Sequence, residues 1–507
     1  MPSYINLVFL VTFASLSLWL LFKDNKEIRK YFGTAFAVSF LFYSAFHILS
    51  PWPFGLIKFL IGIIILFVGG FTLNIFSSNK ILFVLLLAAA LIGLWQMPSF
   101  PGIPFLNNPT FSDIKGLDPN FELLVEMKPG KTSTEISAIL KKYNLHCEPA
   151  FELKNGDITD LDDYIVVNIP DKQLKNFDLI IKALKNSGQV DAIEQNEIVT
   201  LYEPQKSSKL TKGNGSAVLN DPLLDKVWTT EILQLDSLHI FLSQNKIKAR
   251  KKAKIAIIDT GVEANHPDLS ANFISTRIEY DEDPQGHGTH CAGIAAAVSN
   301  NRKGIASFAP SNEFIEITSI QVFSRSGGTT QRNIIRAMIL AVDNGADVIS
   351  MSLGGPSNDA AQIAYREAIE YASKKRVIVV AAAGNEDSDA SKKVPASIEG
   401  VIAVAATDEN NQKASFSNEV TKIKMALAAP GVDIFSTLPD SKYGFMSGTS
   451  MATPYVAGLL GLMKAIDPTL NTETAFQILE KTGKKTKSPT ETGNLIQPMS
   501  AITFLLK

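Results

Sequence analysis

Residues 254–262 read KIAIIDTGV, a short β-branched run without polar alternation that ends on an acid, a threonine and a glycine. A strand of that composition is buried on both faces, as in a parallel sheet covered by helices; a half-solvated antiparallel strand would alternate. Working outward, similar runs recur in EITSIQVF (316–323), ADVISMSLGG (346–355) and RVIVVAAAGNE (376–386). Helical patterns from about His287 and over Asn333 to Asp343 fall between them. The alternation predicts an α/β fold, a mostly parallel sheet with helices on both faces. Binding crevices in such sheets lie beyond the carboxyl ends of the strands. Asp259, Ser352 and Asn385 all fall just past predicted strand ends, and Ser450 opens SMATPYVAGLLGLMKAI (450–466), an apolar run with the length of a helix. Polar side chains therefore converge on one edge.

A hydroxyl becomes a useful nucleophile when a base removes its proton, and an imidazole serves as that base when a carboxylate fixes its tautomer and stabilises its cation. The chain offers Asp259 in DTG, His287 in GHGTHCAG (286–293) and Ser450 in SGTSMATP (447–454). Aspartic proteases also use DTG but need two carboxylates, and only one DTG is present. His287 and His290 have metal-like spacing, yet Gly288 stands where a metalloprotease carries its glutamate. Together with Asn385 in AAAGN and Ser352 to Gly355 in SLGG, these motifs resemble the subtilisin-like serine protease family, over roughly Asp221 to Ile466.

The resemblance implies a serine endopeptidase acting on protein or peptide substrates through an acyl-enzyme. Ser450 would be the nucleophile, His287 the general base and then acid, Asp259 its orienter, and Asn385 an oxyanion donor. The helix N-terminus at Ser450 favours an oxyanion independently, and Pro454 is expected in that helix's first turn. Ser352, Leu353, Gly354 and Gly355 would present an edge on which a peptide adds as a strand, glycine allowing close approach. Ala383 and Gly384 would line the primary specificity pocket with Glu386 near its base, where a carboxylate either favours Lys and Arg or is solvated surface. Asp281, Glu282 and Asp283 invite the same two readings. No cofactor is required for such catalysis. HPDL (266–269) and SNNRKGIA (299–306) resemble the halves of a structural calcium site with Asp268 and Asn301 as candidate ligands, or else form ordinary turns. Cys291 reads as a small buried hydrophobe.

The full chain has 507 residues, with 48 Lys and Arg against 50 Asp and Glu, so no basic excess marks a nucleic-acid binder. Its charges are unevenly spread: residues 1–100 carry eight of them but 15 of the 30 Phe. Four apolar runs, 5–22, 31–49, 59–76 and 81–97, each approach the ~20 residues that span a bilayer. Residues 1–97 are therefore expected to form four transmembrane helices in contact with lipid. In the first run the positive charges follow the apolar stretch, the reverse of a secretory signal. Lys23, Lys26, Arg29, Lys30 and Lys80 mark the cytoplasmic side, against Lys58 and Lys115 on the other. An even number of spans then puts everything after Met97 outside the cytoplasm of a multi-pass cell-membrane protein.

Residues 98–119 read as a tether. Residues 120–204 read as a small α+β unit of β-α-β-β-α-β (ferredoxin-like) order, with a Thr132–Glu135 capping box and strands near Phe121 to Lys128, Glu148 to Leu153, Tyr164 to Ile169 and Val190 to Glu194. The Lys- and Gly-rich stretch QKSSKLTKGNG (205–215) belongs to a linker, 205–219, and 220–507 form the catalytic part. Given the resemblance, the α+β unit is similar to the family's inhibitory propeptide, an intramolecular partner. Its closing stretch Glu197 to Pro204 would lie in the cleft like a product, with cleavage expected in the linker.

Overall fold

The computed structural model describes residues 121–154, 158–202, 213–323, 328–357 and 362–507. The four apolar runs, the tether, Glu203 and Pro204 at the end of the closing stretch, and residues 205–212 of the linker lie outside them. No helix among the described residues is long and apolar enough to cross a membrane.

The first unit comprises β1 (Phe121–Met127), α1 (Ser137–Tyr143), β2 (His146–Pro149), β3 (Tyr164–Ile169), α2 (Phe177–Asn186) and β4 (Val190–Gln195). Its strands form an antiparallel sheet in the order β2-β3-β1-β4. The Thr132–Glu135 capping box forms, the Glu135 carboxylate accepting from Thr132 N at 2.9 Å, and starts a 3-10 turn that runs into α1. The second strand sits earlier than the expected Glu148 to Leu153. Ala150 N still donates to Tyr164 O at 2.8 Å, and the chain then leaves the ladder as Phe151 packs beside Tyr164, with ring centroids 5.8 Å apart.

A further strand, β5 (Ile198–Leu201), leaves that sheet for the second part of the chain. There the elements are β6 (Ala253–Asp259), α3 (His287–Ala296), β7 (Ile315–Gln321), β8 (Gly328–Thr330), α4 (Gln331–Asp343), β9 (Val348–Met351), β10 (Leu353–Pro356), α5 (Ile363–Lys374), β11 (Ile378–Ala382), β12 (Lys393–Val394), β13 (Val401–Thr407), β14 (Ala426–Pro430), β15 (Ile434–Leu438), β16 (Lys442–Met446) and α6 (Thr449–Ile466). The central sheet runs β14-β13-β11-β9-β6-β7 with every neighbour parallel, and is extended beyond β14 by Asn494–Leu495, parallel to it, and by Lys484–Lys485, an antiparallel edge.

Burial on both faces explains the continuous apolar runs. Ile255 and Ile257 of β6, with Ile378 and Val380 of β11, share an apolar layer with Ala292 of α3 and Val456 and Leu460 of α6. Ala256, Ile258, Val379 and Ala381 face the other way, into a layer with Ile335 and Ile339 of α4 and Tyr365 and Ala368 of α5. That second layer also contains Leu124, Phe151, Tyr164 and Val166 of the α+β unit. The small unit therefore shares its apolar contacts with α4 and α5.

Candidate active site

β6 ends on Asp259, and the turn that follows aims its carboxylate at the first residue of α3. The His287 Nδ1–H donates to Asp259 Oδ1 at 2.7 Å, and Thr260 N donates to the same oxygen at 2.8 Å. Both side chains are buried. Burial opposes a charged imidazole, yet the charge and hydrogen bond of Asp259, together with Cys291, hold the His287 pKa well above the ordinary histidine value. With Nδ1 engaged, Nε2 is the basic position, and it is buried without a hydrogen-bond partner among the described residues.

Ser450 is the second residue of α6, a helix buried along its whole length. Its Oγ–H donates to Ser352 O at 3.2 Å, so the hydroxyl must rotate to meet His287. Pro454 is not in the first turn as expected; it lies inside the helix, where its missing N–H leaves Ser450 O without the i→i−4 bond. Other donors replace it: Ser352 Oγ at 2.8 Å and the Cys291 thiol at 3.5 Å. The proline thus ties the Ser450 backbone to the end of β9 and to α3. Cys291 is fully buried, and burial raises its thiol pKa, in keeping with a small hydrophobe.

Asn385 follows β11. Its Oδ1 accepts from Thr449 N at 2.9 Å and Thr449 Oγ1 at 2.8 Å, leaving Nδ2 buried and unpartnered among the described residues. A Cβ built on Gly448 would lie 3.1 Å from that Nδ2 and 3.6 Å from Ser450 N, so the amide donor and the helix N-terminus border the same space. Two donors beside a hydroxyl and a free imidazole nitrogen form the set that acyl transfer needs.

The cleft is lined as a strand acceptor. β5 pairs antiparallel with β10 (Leu201 opposite Leu353, Thr200 opposite Gly354) and with β8 (Val199 opposite Thr329). Continuing the register by one residue sets Tyr202 opposite Ser352, whose carbonyl holds the Ser450 hydroxyl. Gly354 is required: a Cβ there would collide with the Tyr202 hydroxyl. Gly384 is required too, because its φ of +106° disfavours a side chain and a Cβ would strike Asn418 Nδ2. Ala383 is buried, and its carbonyl accepts from Asn418 Nδ2 at 2.9 Å. Glu386 is not a lone solvated carboxylate; Lys393 Nζ pairs with it at 2.9 Å and Asn418 Nδ2 donates to it at 2.8 Å.

Asp283 also departs from the solvated-loop reading. It is buried, and its oxygens accept from Gly286 N and Thr289 N, each at 2.8 Å, at the N-terminus of α3. It thereby anchors the turn that carries His287. A carboxylate just ahead of a helix start was a readable signal for such a role. Asp281 instead accepts from Ser275 Oγ at 2.9 Å.

Asp268 and Asn301 are brought together, Asn301 Nδ2 donating to Asp268 Oδ1 at 2.7 Å. Asp221, not among the expected ligands, joins them by accepting from Asn300 N at 2.9 Å and Asn301 N at 3.1 Å. Burial pushes the Asp268 pKa up to about 6, with a contribution from the Asp221 charge, and burial likewise raises Asp221. Among the described residues no Lys or Arg forms an ion pair with either carboxylate. Two buried acids without a protein cation, in a loop rich in oxygen donors, suit a hard cation such as calcium.

The α+β unit is held to the catalytic part by satisfied polar groups. Arg332 of α4 donates to Glu148 Oε1 at 2.8 Å and to Ala150 O at 3.2 Å, while its backbone N–H donates to Asn196 Oδ1 at 2.9 Å. Glu194 accepts from Gln331 Nε2 at 2.9 Å and from Ala364 N, at the start of α5, at 2.8 Å.

Residues 250–495 match the family described as "Subtilase family". Thermitase from Thermoactinomyces vulgaris is 47% identical over 216 residues, which cover 42% of this chain and 74% of that protein. Subtilisin DY from Bacillus licheniformis is 41% identical over 225 residues, 43% of this chain and 78% of that protein. A thermophilic serine proteinase from Bacillus sp. (strain AK1) is 45% identical over 221 residues, 43% of this chain and 53% of that protein.

Proposed function

The chain belongs to the subtilase family of serine endopeptidases, and on that premise we propose that Asp259, His287 and Ser450 are its catalytic triad and Asn385 its oxyanion donor. In this reading the Ser450 hydroxyl turns to His287 Nε2, which takes its proton as Oγ attacks the scissile carbonyl carbon. Asp259 stabilises the imidazolium, and Asn385 Nδ2 with the N–H at the start of α6 stabilises the oxyanion. His287 then returns the proton to the leaving amine, and water resolves the acyl-enzyme by the same steps. The observation that carries the proposal is the pair of buried, unpartnered groups, His287 Nε2 and Asn385 Nδ2, the first on a histidine that shares the Cys291 thiol with Ser450 and the second against Gly448. Fluorophosphonate labelling and peptide hydrolysis that are lost in Ser450→Ala would support it; equal labelling of both proteins would refute it.

The α+β unit would act as an intramolecular inhibitor, with β5 lying in the cleft as a product. Tyr202 would then be the residue before the scissile bond, which moves the expected cleavage from the 205–219 linker to Tyr202–Glu203. Asp221, Asp268 and Asn301 fit a structural calcium, which would neutralise the two buried acids and take no part in the chemistry. Anchoring in a cell membrane through residues 1–97, with the catalytic part outside the cytoplasm, rests on the four apolar runs and the loop charges. A reporter active only outside the cytoplasm, fused after Pro119, should be active; silence there, with activity of a cytoplasmic reporter, would overturn that topology.

A further inference from the structure

The loop that leads into β6 carries charge that no part of the cleft uses. Residues 246–254 read KIKARKKAK, six cations without an acid, in a chain whose net charge is −2. Lys246, Lys248, Arg250, Lys251 and Lys252 are exposed. Lys251 pairs with Asp347, and Lys254 Nζ lies 3.6 Å from Glu316 Oε1. Lys246, Lys248, Arg250 and Lys252 form no ion pair among the described residues, and Asp467, whose charge reaches Arg250, is already held by Thr469 Oγ1 at 2.7 Å. The backbone beneath these cations is fixed, with Ile247 N donating to Leu242 O at 3.0 Å and Arg250 N to Ala465 O at 2.7 Å. Exposed apolar side chains adjoin them. The helix Leu235–Gln244, which runs directly into the loop, packs on the helix Pro498–Leu505. Ile240 on the first, Phe504 on the second and Leu506 just after it are 39%, 37% and 40% exposed. Lys481 Nζ adds a further cation 4.7 Å from the Phe504 ring centroid. The headgroup layer of an anionic bilayer accepts cations and apolar side chains together, whereas a nucleic acid or an acidic protein would match the cations alone. β6 is 7 residues long and ends on Asp259, so the loop lies roughly 20 Å from the triad at the opposite edge of the sheet. Docking through the loop leaves the cleft open.

We propose that the 246–252 loop, with Ile240, Phe504 and Leu506, docks the catalytic part on an anionic lipid surface. The inference deepens the reading of residues 1–97 as a membrane segment: cleavage at Tyr202–Glu203 would cut the covalent tie, and this face would keep the fragment at the bilayer. The test uses full-length Ser450→Ala protein, which stays uncut, reconstituted with vesicles of phosphatidylcholine alone or of phosphatidylcholine and phosphatidylglycerol. A water-soluble amine reagent is applied and its labelling is read residue by residue, with the exposed Lys172 and Lys185 of the α+β unit as internal references. Relative to these, Lys246, Lys248 and Lys252 should label roughly fivefold or more slowly on the anionic vesicles than on the neutral ones, and high salt should restore the rate. Equal relative rates on the two vesicles overturn the proposal. Equal protection by soluble polyglutamate without vesicles would assign the face to an acidic protein and overturn it as well. Flotation after an alkaline carbonate wash separates this reading from the one beneath it. Protein that resists carbonate but labels equally keeps the spans and refutes the face. Protein that floats only with the anionic vesicles and is stripped by carbonate refutes the spans and keeps the face, and protein that floats with neither refutes both.

Discussion

The cleft and the docking face of the α+β unit treat buried polar groups in opposite ways. In the cleft, His287 Nε2, Asn385 Nδ2 and Asp259 Oδ2 are buried without partners among the described residues. On the docking face, Arg332 donates to two backbone carbonyls and a carboxylate, and Glu194 and Asn196 accept from the first turns of α5 and α4. A buried polar atom left unpaired costs about 1–3 kcal/mol, so the first arrangement lowers stability where the second holds two surfaces together. The difference separates the two regions: unmet hydrogen bonds surround the proposed triad, where a reacting atom would supply the partner, and met ones stand where the α+β unit packs.

Perturbing each region should therefore give a different signature. The largest effect is expected from Asp259→Asn, on the order of 10⁴-fold in kcat, the size reported for the equivalent change in a serine-protease triad. Its pH profile carries the sign. The carboxylate raises the His287 pKa, so the wild-type rising limb of kcat/KM should lie above that of an ordinary histidine, and the variant's residual activity should begin at lower pH. A limb that does not move toward acid would deny Asp259 that role. Asn385→Leu should cost roughly 10²- to 10³-fold in kcat with KM little changed, a magnitude borrowed from subtilisin itself. A rise in KM with unaltered kcat would make Asn385 a binding group instead.

On the docking side, Arg332→Ala should leave Glu148 and two carbonyls unmatched and weaken inhibition by the added α+β unit by about 10- to 100-fold, with little change in kcat. Loss of kcat without loss of inhibition would mean that the grip lies elsewhere. The smallest effect concerns Asp221, Asp268 and Asn301. Chelation should lower the Tm by several degrees, as expected for loss of a cation present at about 100 times its Kd, and Asp268→Asn should remove that calcium dependence. An equal Tm with and without chelator would return the loop to an ordinary turn.

Much of the catalytic part was readable because local pattern and burial agree. β6, β9 and β11 are continuous apolar runs with both faces covered, and Asp259 and Asn385 stand at or just past their ends. The groups that were not readable depend on tertiary neighbours. Asp283 looked like one of three loop acids until α3 supplied its partners. Asn418 and Asp221 lie far in sequence from the groups they touch, and no periodicity announces such pairs. Pro454 was misplaced within its helix because the bond it forgoes is replaced from β9, which a local rule cannot see. The partners of β5 likewise come from β8 and β10, both remote in the chain.

In the proposed mechanism Ser450 reacts with a strand seated as β5 is, with Tyr202 in the pocket. The most direct measurement is the N-terminus of the catalytic fragment, mapped by intact mass and terminal sequencing, in wild type and in Ser450→Ala expressed as full chains. A new terminus at Glu203 is expected in wild type and an uncut chain in Ser450→Ala. Equal cleavage in both, or a Ser450-dependent terminus at another bond, would contradict it.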